Sequence, residues 1–194
     1  MAPATAVRLR PACAADLEVI DRICNRAIVH GTATWDTEPW TADQRRARGA
    51  EHSDPLQPGI VAADRTGVVG FAYLTLRSKR PGRRCTREET IYVDERARGQ
   101  GVGRALLEAL LEAAGATGVR LVVAAISSAN EVSIGLHRRY GFEVVGVLRN
   151  AGPEPGEWVE TTYMQLDLEA RCEVRAQRNF WVADGPYSRR PHGC

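Results

Sequence analysis

The chain has 194 residues, a formal net charge of +2 and ordinary apolar and charged fractions. This length suits one domain with a full hydrophobic core, and the near-neutral charge gives no reason to expect a nucleic-acid partner. No apolar run approaches the roughly 18 residues that cross a bilayer, and the N-terminus lacks the apolar segment of a secretory signal. We therefore expect a cytoplasmic protein that binds neither nucleic acid nor membranes.

The cysteines give no sign of a disulfide framework or a metal site. Their number is odd, and none stands in a CxxC or zinc-ligand spacing. Reduced thiols in a reducing compartment explain this usage best. The five are Cys13, Cys24, Cys85, Cys172 and Cys194.

The N-terminal part of the chain predicts a strand followed by helices. Residues 7–10 alternate apolar and polar side chains, as a short strand does. Residues 14–29 carry apolar side chains at helical spacing. A loop over residues 31–39 follows, and residues 41–51 form a polar helix candidate that Thr41 would cap.

The next segment predicts a hairpin and then a basic connection. Residues 60–64 and 68–76 are typical strands, joined by a turn at residues 65–67. Residues 77–87 are basic and irregular, with a Pro-Gly pair inside them. The basic run would attract an anionic acceptor, or it is simply a solvated loop.

The C-terminal half alternates helices and strands. Residues 101–116 form the clearest helix, residues 119–126 a strand buried on both faces, and residues 130–140 a short helix. Two late strands are expected at 142–148 and 158–168, split by the Gly/Pro-rich residues 152–156. The order predicts an α+β fold built on one mixed sheet with helices on both faces.

We assign the domain to residues 1–170. Beyond this boundary the hydrophobic periodicity fades, and residues 171–194 are basic with two prolines. A C-terminal extension that is poorly ordered fits this composition.

A glycine-rich turn is the most informative segment. A strand over residues 89–93 runs through a short loop into the strong helix, and the loop contains Arg98, Gly99, Gln100, Gly101, Val102 and Gly103. Unpaired N–H groups and the helix dipole favour an anion there, and glycines allow close approach of a pyrophosphate. It is neither a Walker loop nor a GxGxxG fingerprint. A tight turn that binds nothing is the alternative.

Two blocks in order resemble the GNAT-type N-acetyltransferases. The R-x-x-G-x-G turn at 98–103 resembles their pyrophosphate loop, and SSANEVSIGLHRRYGFEVVG resembles their next motif. Residues 88–93, Leu136-His137 and 148–152 narrow the likeness to phosphinothricin/methionine sulfoximine acetyltransferases. The likeness spans roughly residues 7–168 and implies a mostly antiparallel sheet and a homodimer whose active sites borrow loops from the partner.

The resemblance also implies how acetyl-CoA, as co-substrate, is held. Backbone groups of the strand at Ile91, Tyr92 and Val93 would pair with the pantetheine arm. The loop from Arg98 to Gly103 would hold the pyrophosphate. Asn130 and Ser133 would form hydrogen bonds with the cofactor. No metal is expected.

Acetyl transfer needs a base, because an alkylammonium with a pKa near ~10.4 must lose a proton before it attacks a thioester. Glu88, just ahead of the predicted strand, matches the family's general base, and alternation points its neighbour Glu89 to the other face. His137 stands where many relatives have a tyrosine near the cofactor sulfur, and its pKa range suits proton delivery to a thiolate. Tyr140 is a weaker candidate.

The acceptor side matches the family less closely. Arg80 and Thr86 agree with the resemblance, but Arg83 stands where a tyrosine is expected, and the loop at 153–157 lacks an aromatic–Lys pair. Trp35 and Trp158 are candidates for the walls of the acceptor pocket, although large aromatic side chains also fill cores.

Three other functions remain open at this level. A protein N-terminal or lysine acetyltransferase would need an open peptide groove, and the predicted loops at 31–39 and 152–156 favour a closed pocket. A non-catalytic acyl-CoA-binding regulatory module would keep the loop but not need Glu88 or His137. Nucleic-acid binding by the basic tail would require a salt-dependent affinity.

Overall fold

The computed structural model describes residues 7–30, 38–41, 43–44, 57–154 and 157–169. Three predictions lie outside the described residues: the loop that contains Trp35, most of the helix expected at 41–51, and the tail 171–194. Among the described residues, no helix is long and apolar enough to span a membrane.

Seven strands form one mixed sheet in the order β1-β2-β3-β4-β5-β7-β6. All neighbours pair antiparallel except β4 and β5, which are parallel. The strands are β1 Arg8–Pro11, β2 Gly59–Asp64, β3 Gly67–Leu76, β4 Thr86–Val93, β5 Leu121–Ser127, β6 Glu143–Glu154 and β7 Glu157–Asp167. The predicted α+β class and the mostly antiparallel sheet are confirmed.

Within the described residues, three helices longer than one turn cover the two faces of this sheet. They are α1 Leu17–His30, α2 Val102–Ala116 and α3 Glu131–Arg139. The apolar stripe of α1 packs with Val61 and Phe71 in a smaller core. Helices α2 and α3 pack with Ala62 and Ala72 in a larger core. Because consecutive strand residues point to opposite faces, the two cores lie on opposite sides of the sheet.

Two predicted boundaries were wrong. Strand β4 begins at Thr86, so Glu88 lies inside the strand rather than ahead of it. Pairing with β3 and β5 extends the strand over polar residues whose own propensity for strands is low.

The break expected at residues 152–156 is mostly strand. Strand β6 continues to Glu154, where Gly152 pairs with Val159 and Pro153 with Trp158. Proline is tolerated there because β6 is an edge strand, whose outer side needs no backbone donor. Residues 155–156 lie outside the described part, so only they separate β6 from β7.

Candidate active site

The two adjacent glutamates of β4 point to opposite faces of the sheet. Glu89 pairs in register with Leu74, a residue of the larger core beneath α2 and α3. Tyr92, an even-numbered residue of β4, packs against Phe71 in the smaller core with ring centroids 5.4 Å apart. Alternation therefore places Glu88 on the α1 face and Glu89 on the α2 face.

Glu88 is a reachable carboxylate held by a cation. Its side chain is 34% exposed and forms an ion pair with Arg77. The Arg77 guanidinium in turn lies over the ring of Tyr163, 5.1 Å from its centroid. An arginine fixed on an aromatic face loses less freedom when it orients a carboxylate. Glu88 thus has the exposure and orientation that a proton acceptor requires.

His137 lies on the other face, with Glu89 rather than Glu88. Its Nε2 is 3.0 Å from Glu89 Oε1, and its Nδ1 is 2.8 Å from the carbonyl oxygen of Ser133. Burial lowers the pKa of His137, but the hydrogen bond and charge of Glu89, with the Ser133 carbonyl, more than offset this and raise it above its ordinary value. The histidine is thereby held toward its charged form.

The glycine-rich turn presents backbone donors without side-chain competition. Gly99 and Gly101 have φ values of 73° and 84°, which L-residues with a Cβ rarely adopt. Gly101 caps α2 with no side-chain hydrogen bond, and the first turn carries no acidic residue. Arg98 is exposed and donates from Nε to the Val93 carbonyl at 3.3 Å. The predicted turn from strand to helix is therefore formed, and its use as an anion site stays a prediction.

A cavity of about 310 Å³ lies between α1 and the end of β4 that leads into this turn. Four arginines line it, against the carboxylates of Asp94 and Glu95; they are Arg22, Arg26, Arg96 and Arg98. The excess of positive charge favours anions on this side of the loop.

Asn130 and Ser133 meet at the start of α3. Asn130 caps the helix, because its Oδ1 accepts from the backbone N–H of Ser133 at 3.0 Å. Ser133 then accepts from the His137 ring through its carbonyl oxygen. The cap thus fixes the position of His137, one turn further along the helix.

Strands β4 and β5 pair over only three residues, from Thr86–Leu121 to Glu88–Val123. Beyond this ladder the strands diverge, and the pairing of β4 with β5 ends before Ile91 and Val93. We call this region, up to Val93 and Ser127, the splay. Within the described residues two buried side-chain oxygens on these strands lack a hydrogen-bond partner, Glu89 Oε2 and Ser127 Oγ.

These features fit acetyl-CoA. The splay leaves a strand edge to which an extended, amide-containing arm can add. The glycine-rich turn offers backbone donors to a pyrophosphate. Two buried side-chain oxygens at the splay have no hydrogen-bond partner within the described residues. Among the described residues, no group of three or more His, Cys, Asp or Glu side chains is placed to hold a metal ion.

The predicted acceptor residues are spread more widely. Thr86 opens β4 opposite Leu121, and Arg80 is exposed before the short 3₁₀ turn Pro81–Arg83. Trp158 is 65% exposed, so it is not a core aromatic. Trp35 lies outside the described residues. The structure therefore gathers the residues for cofactor and base more clearly than those for the acceptor.

Two residues at the site were not predicted from sequence. Arg77 stood in the basic run, with nothing to single it out. Glu89 was assigned only to the opposite face from Glu88. Glu89 lies at an odd-numbered position of β4, like Ile91 and Val93, which pack on the larger core. This alternation could have predicted that Glu89 lies on the same face as His137.

Two similar proteins are acetyltransferases. An L-methionine sulfoximine/L-methionine sulfone acetyltransferase of Pseudomonas paraeruginosa is 41% identical over 163 residues, or 83% of this chain and 94% of that protein. A phosphinothricin N-acetyltransferase of Alcaligenes faecalis is 36% identical over 156 residues, or 80% of this chain and 79% of that protein.

A solved structure agrees with them. The GNAT superfamily phosphinothricin acetyltransferase of Sinorhizobium meliloti, in complex with acetyl-CoA, superposes with a TM-score of 0.79 at 36% identity, covering 83% of this chain and 88% of that one. The sequence model of the Acetyltransferase (GNAT) family matches residues 21–142. With the glycine-rich turn, the splay and the carboxylate on β4 described above, the chain belongs to the GNAT family of acetyl-CoA-dependent N-acetyltransferases.

Proposed function

We propose that the protein transfers the acetyl group of acetyl-CoA to the primary amine of a small amino-acid-like molecule of the methionine sulfoximine or phosphinothricin type. The observation that carries the proposal is Glu88, a half-buried carboxylate oriented by Arg77 at the point where the splay begins. The relatives' activities support the choice of acceptor class.

Strand β4 is long enough to hold the thioester near Glu88 and the pyrophosphate beyond Val93. Glu88 lies five positions before Val93, about 17 Å along an extended strand. The glycine-rich turn follows Val93 after Asp94 and the short 3₁₀ turn Glu95–Ala97. Acetyl-CoA, when bound, supplies a thioester at the end of a long flexible arm. The turn from Arg98 to Gly103 holds the pyrophosphate, Asn130 and Ser133 add polar contacts, and the backbone of Ile91, Tyr92 and Val93 holds the arm.

Glu88 removes a proton from the acceptor ammonium, which frees the nitrogen lone pair for attack. Arg77 keeps the carboxylate in place. His137 supplies a proton to the departing thiolate. Backbone N–H groups at the splay stabilise the negative oxygen that develops on the acetyl carbon. Arg80, Thr86, Trp35 and Trp158 form the acceptor side in this scheme.

The decisive experiment compares Glu88→Gln with the wild-type enzyme in a thiol-release assay. The acceptors are methionine sulfoximine, phosphinothricin, the common amino acids, polyamines and an N-terminal peptide. We expect kcat to fall by about 10²- to 10⁴-fold, the range for loss of a general base. The dissociation constant of acetyl-CoA, measured by calorimetry, should not change, because the amide keeps the shape of the side chain.

Glu112→Gln is the matched control, since Glu112 is an exposed carboxylate on α2, away from Glu88. Unchanged turnover in Glu88→Gln would remove Glu88 from the chemistry. Binding of acetyl-CoA with no turnover by the wild-type protein on any acceptor would favour a regulatory acyl-CoA-binding module. Preference for the peptide over every small amine would instead identify a protein acetyltransferase. Absence of heat with acetyl-CoA would contradict the whole assignment.

The enzyme acts as a homodimer in this proposal. Strand β6 is the last strand of the sheet and exposes Val144, Val145, Val147 and Leu148. An edge strand with unpaired backbone groups and apolar side chains is suited to bury itself against a second copy. Strand β7, its partner, carries Tyr163, the ring beneath Arg77, so the edge is one strand away from the site.

A cytoplasmic location completes the proposal. Within the described residues, Cys13, Cys24 and Cys85 form no disulfide, as suits a reducing compartment that also supplies acetyl-CoA. Activity found in a periplasmic or secreted fraction rather than in the cytosol would contradict it.

A further inference from the structure

The His137–Glu89 pair has a defined arrangement of protons. Nδ1 of His137 lies 2.8 Å from the carbonyl oxygen of Ser133, which only accepts, so Nδ1 carries a hydrogen. Nε2 faces a carboxylate oxygen of Glu89 at 3.0 Å. That contact needs one further proton, on either Nε2 or the carboxyl. The ring and the carboxylate therefore share a proton at a fixed place.

Other groups near the imidazole do not provide this counter-charge. Within the described residues its contacts are Ser133, Glu89 and Phe142, whose ring meets it edge to face at 4.9 Å. Arg87, on the same face of β4, directs its guanidinium to the carbonyls of Arg84 and Thr86. The side chains that β5 and β7 place in this core are apolar or hydroxyl-bearing.

On α2, Glu108 is exposed and accepts from the hydroxyl of Tyr140, the residue after α3, at 3.4 Å. Within the described residues, Glu89 is the acid that contacts His137. A charge this deeply buried is costly unless it is paired.

The pair is retained at a cost to stability. The His137 side chain is 2% exposed and that of Glu89 5% exposed, and Glu89 Oε2 has no hydrogen-bond partner. Apolar residues of similar size at these positions would avoid both desolvation and the unsatisfied oxygen. A perturbed, half-satisfied ion pair beside the splay is typical of a functional position.

We propose that Glu89 is a positioning residue for acetyl transfer, which holds His137 in one orientation and as a doubly protonated imidazolium ready to give up a proton. This inference rests on the proposed function. In the balanced step, the Nε2–H bond of the imidazolium breaks, and the proton that Nε2 shares with Glu89 Oε1 passes to the thiolate sulfur. His137 becomes neutral with its hydrogen on Nδ1, and Glu89 stays a carboxylate. Of the two protons that the acceptor ammonium loses, one recharges His137 and the other leaves to solvent.

The test measures His137 directly as well as the turnover. The chain has four histidines, so His137→Gln identifies the resonances of His137 in an NMR pH titration. We expect Glu89→Gln to lower the pKa of His137 by about one to three pH units, the range for loss of an opposite charge at this distance. The kcat should fall by about ten- to a hundredfold, and the limb of the kcat–pH profile set by His137 should move to lower pH.

Two variants serve as controls. Glu88→Gln should leave the titration of His137 unchanged, because Glu88 lies on the other face of the sheet. Glu108→Gln should leave both the titration and kcat unchanged. Glu89→Asp keeps the charge, so it should restore part of the pKa and of kcat, which a merely space-filling role would not do.

A His137 titration that is the same in Glu89→Gln and wild type would overturn the inference, whatever the activity. A lowered pKa with an unmoved kcat–pH profile would also overturn it, because the shared proton would then play no part in turnover. If Glu89→Gln does not fold, the Glu89→Asp titration and profile decide the question. Loss of activity in Glu88→Gln with full activity in His137→Gln would refute this inference while leaving the proposed function intact.

Discussion

Asp16 holds the start of α1 against β1 through charge. Its two carboxylate oxygens each lie 2.6 Å from a guanidinium nitrogen of Arg10, and one accepts from the backbone N–H of Cys13 at 2.9 Å. The Arg10 hydrogen bonds, partly opposed by burial and aided by Cys13, lower the pKa of Asp16 from 3.8 to about 2. The pair is local in sequence, yet it joins the first strand to the first helix.

We expect Asp16→Asn to lower the free energy of unfolding at neutral pH by about 1–2 kcal/mol, a value reduced because Arg10 is partly exposed and screened. Since the pKa of Asp16 is depressed in the folded state, its contribution is present above pH 3.8 and is lost as pH falls toward 2. Denaturant unfolding between pH 2 and 7 measures this. The control, Glu18→Gln, changes an exposed acid in the same region. A constant gap between Asp16→Asn and wild type across that range would contradict the linkage.

At the residue scale, the sequence predicted the face of the sheet on which a side chain lies better than the residues that it contacts. Alternation along β4 was enough to separate Glu88 from Glu89. The residues that each one meets, Arg77 and His137, are 11 and 48 positions away. Such pairs depend on how β3 and α3 pack against β4, and no local pattern specifies that packing.

At the scale of the elements, Gly70 of β3 lies close to both β4 and α2. A Cβ at this position would lie 2.9 Å from the carbonyl oxygen of Tyr92 and 3.1 Å from Leu106 Cδ1. The backbone oxygen cannot move without disturbing the ladder between β3 and β4. Gly70 therefore allows α2 to lie close to the sheet, and the position of α2 determines the position of the glycine-rich turn at its start.

We expect Gly70→Ala to lower the free energy of unfolding by about 1–3 kcal/mol, the usual cost of overpacking. The matched variant is Gly115→Ala, in α2, where a Cβ would meet no heavy atom within 4 Å. It should raise the free energy of unfolding by about 0.5–1 kcal/mol, because glycine is entropically costly in a helix. Thermal and urea unfolding of both variants provide the measurement. Equal effects in the two would argue against close packing at Gly70.

Helices were predicted more accurately than strands. The helix expected at 101–116 is Val102–Ala116, and the one expected at 130–140 is Glu131–Arg139, because apolar spacing and glycine stop signals are local. Strands β4 and β6 exceed their predicted bounds since their extra residues are held by pairing with neighbours. Polar residues in β4 and the Gly-Pro pair in β6 concealed that pairing.

On the scale of the whole molecule, β6 makes the oligomeric state testable. Leu148→Lys places a charge in the exposed apolar strip without touching the described core. We expect wild-type protein to have twice the 21.3 kDa chain mass in light scattering and Leu148→Lys to shift toward the monomer, since burying an unpaired charge in an interface is costly. Arg149→Lys, a change that keeps the charge at an exposed neighbouring position, is the control. Monomeric wild-type protein would contradict the dimer.

The short ladder between β4 and β5 divides the sheet into two leaves, β1–β4 and β5-β7-β6, fastened at one end by three residue pairs. Because these three pairs lie near one end, the two parts of the sheet can rotate about them. A small rotation at Thr86–Glu88 would become a larger displacement at Val93. We expect the width of the opening to change most at Val93 and least at Glu88, which is one of the paired residues.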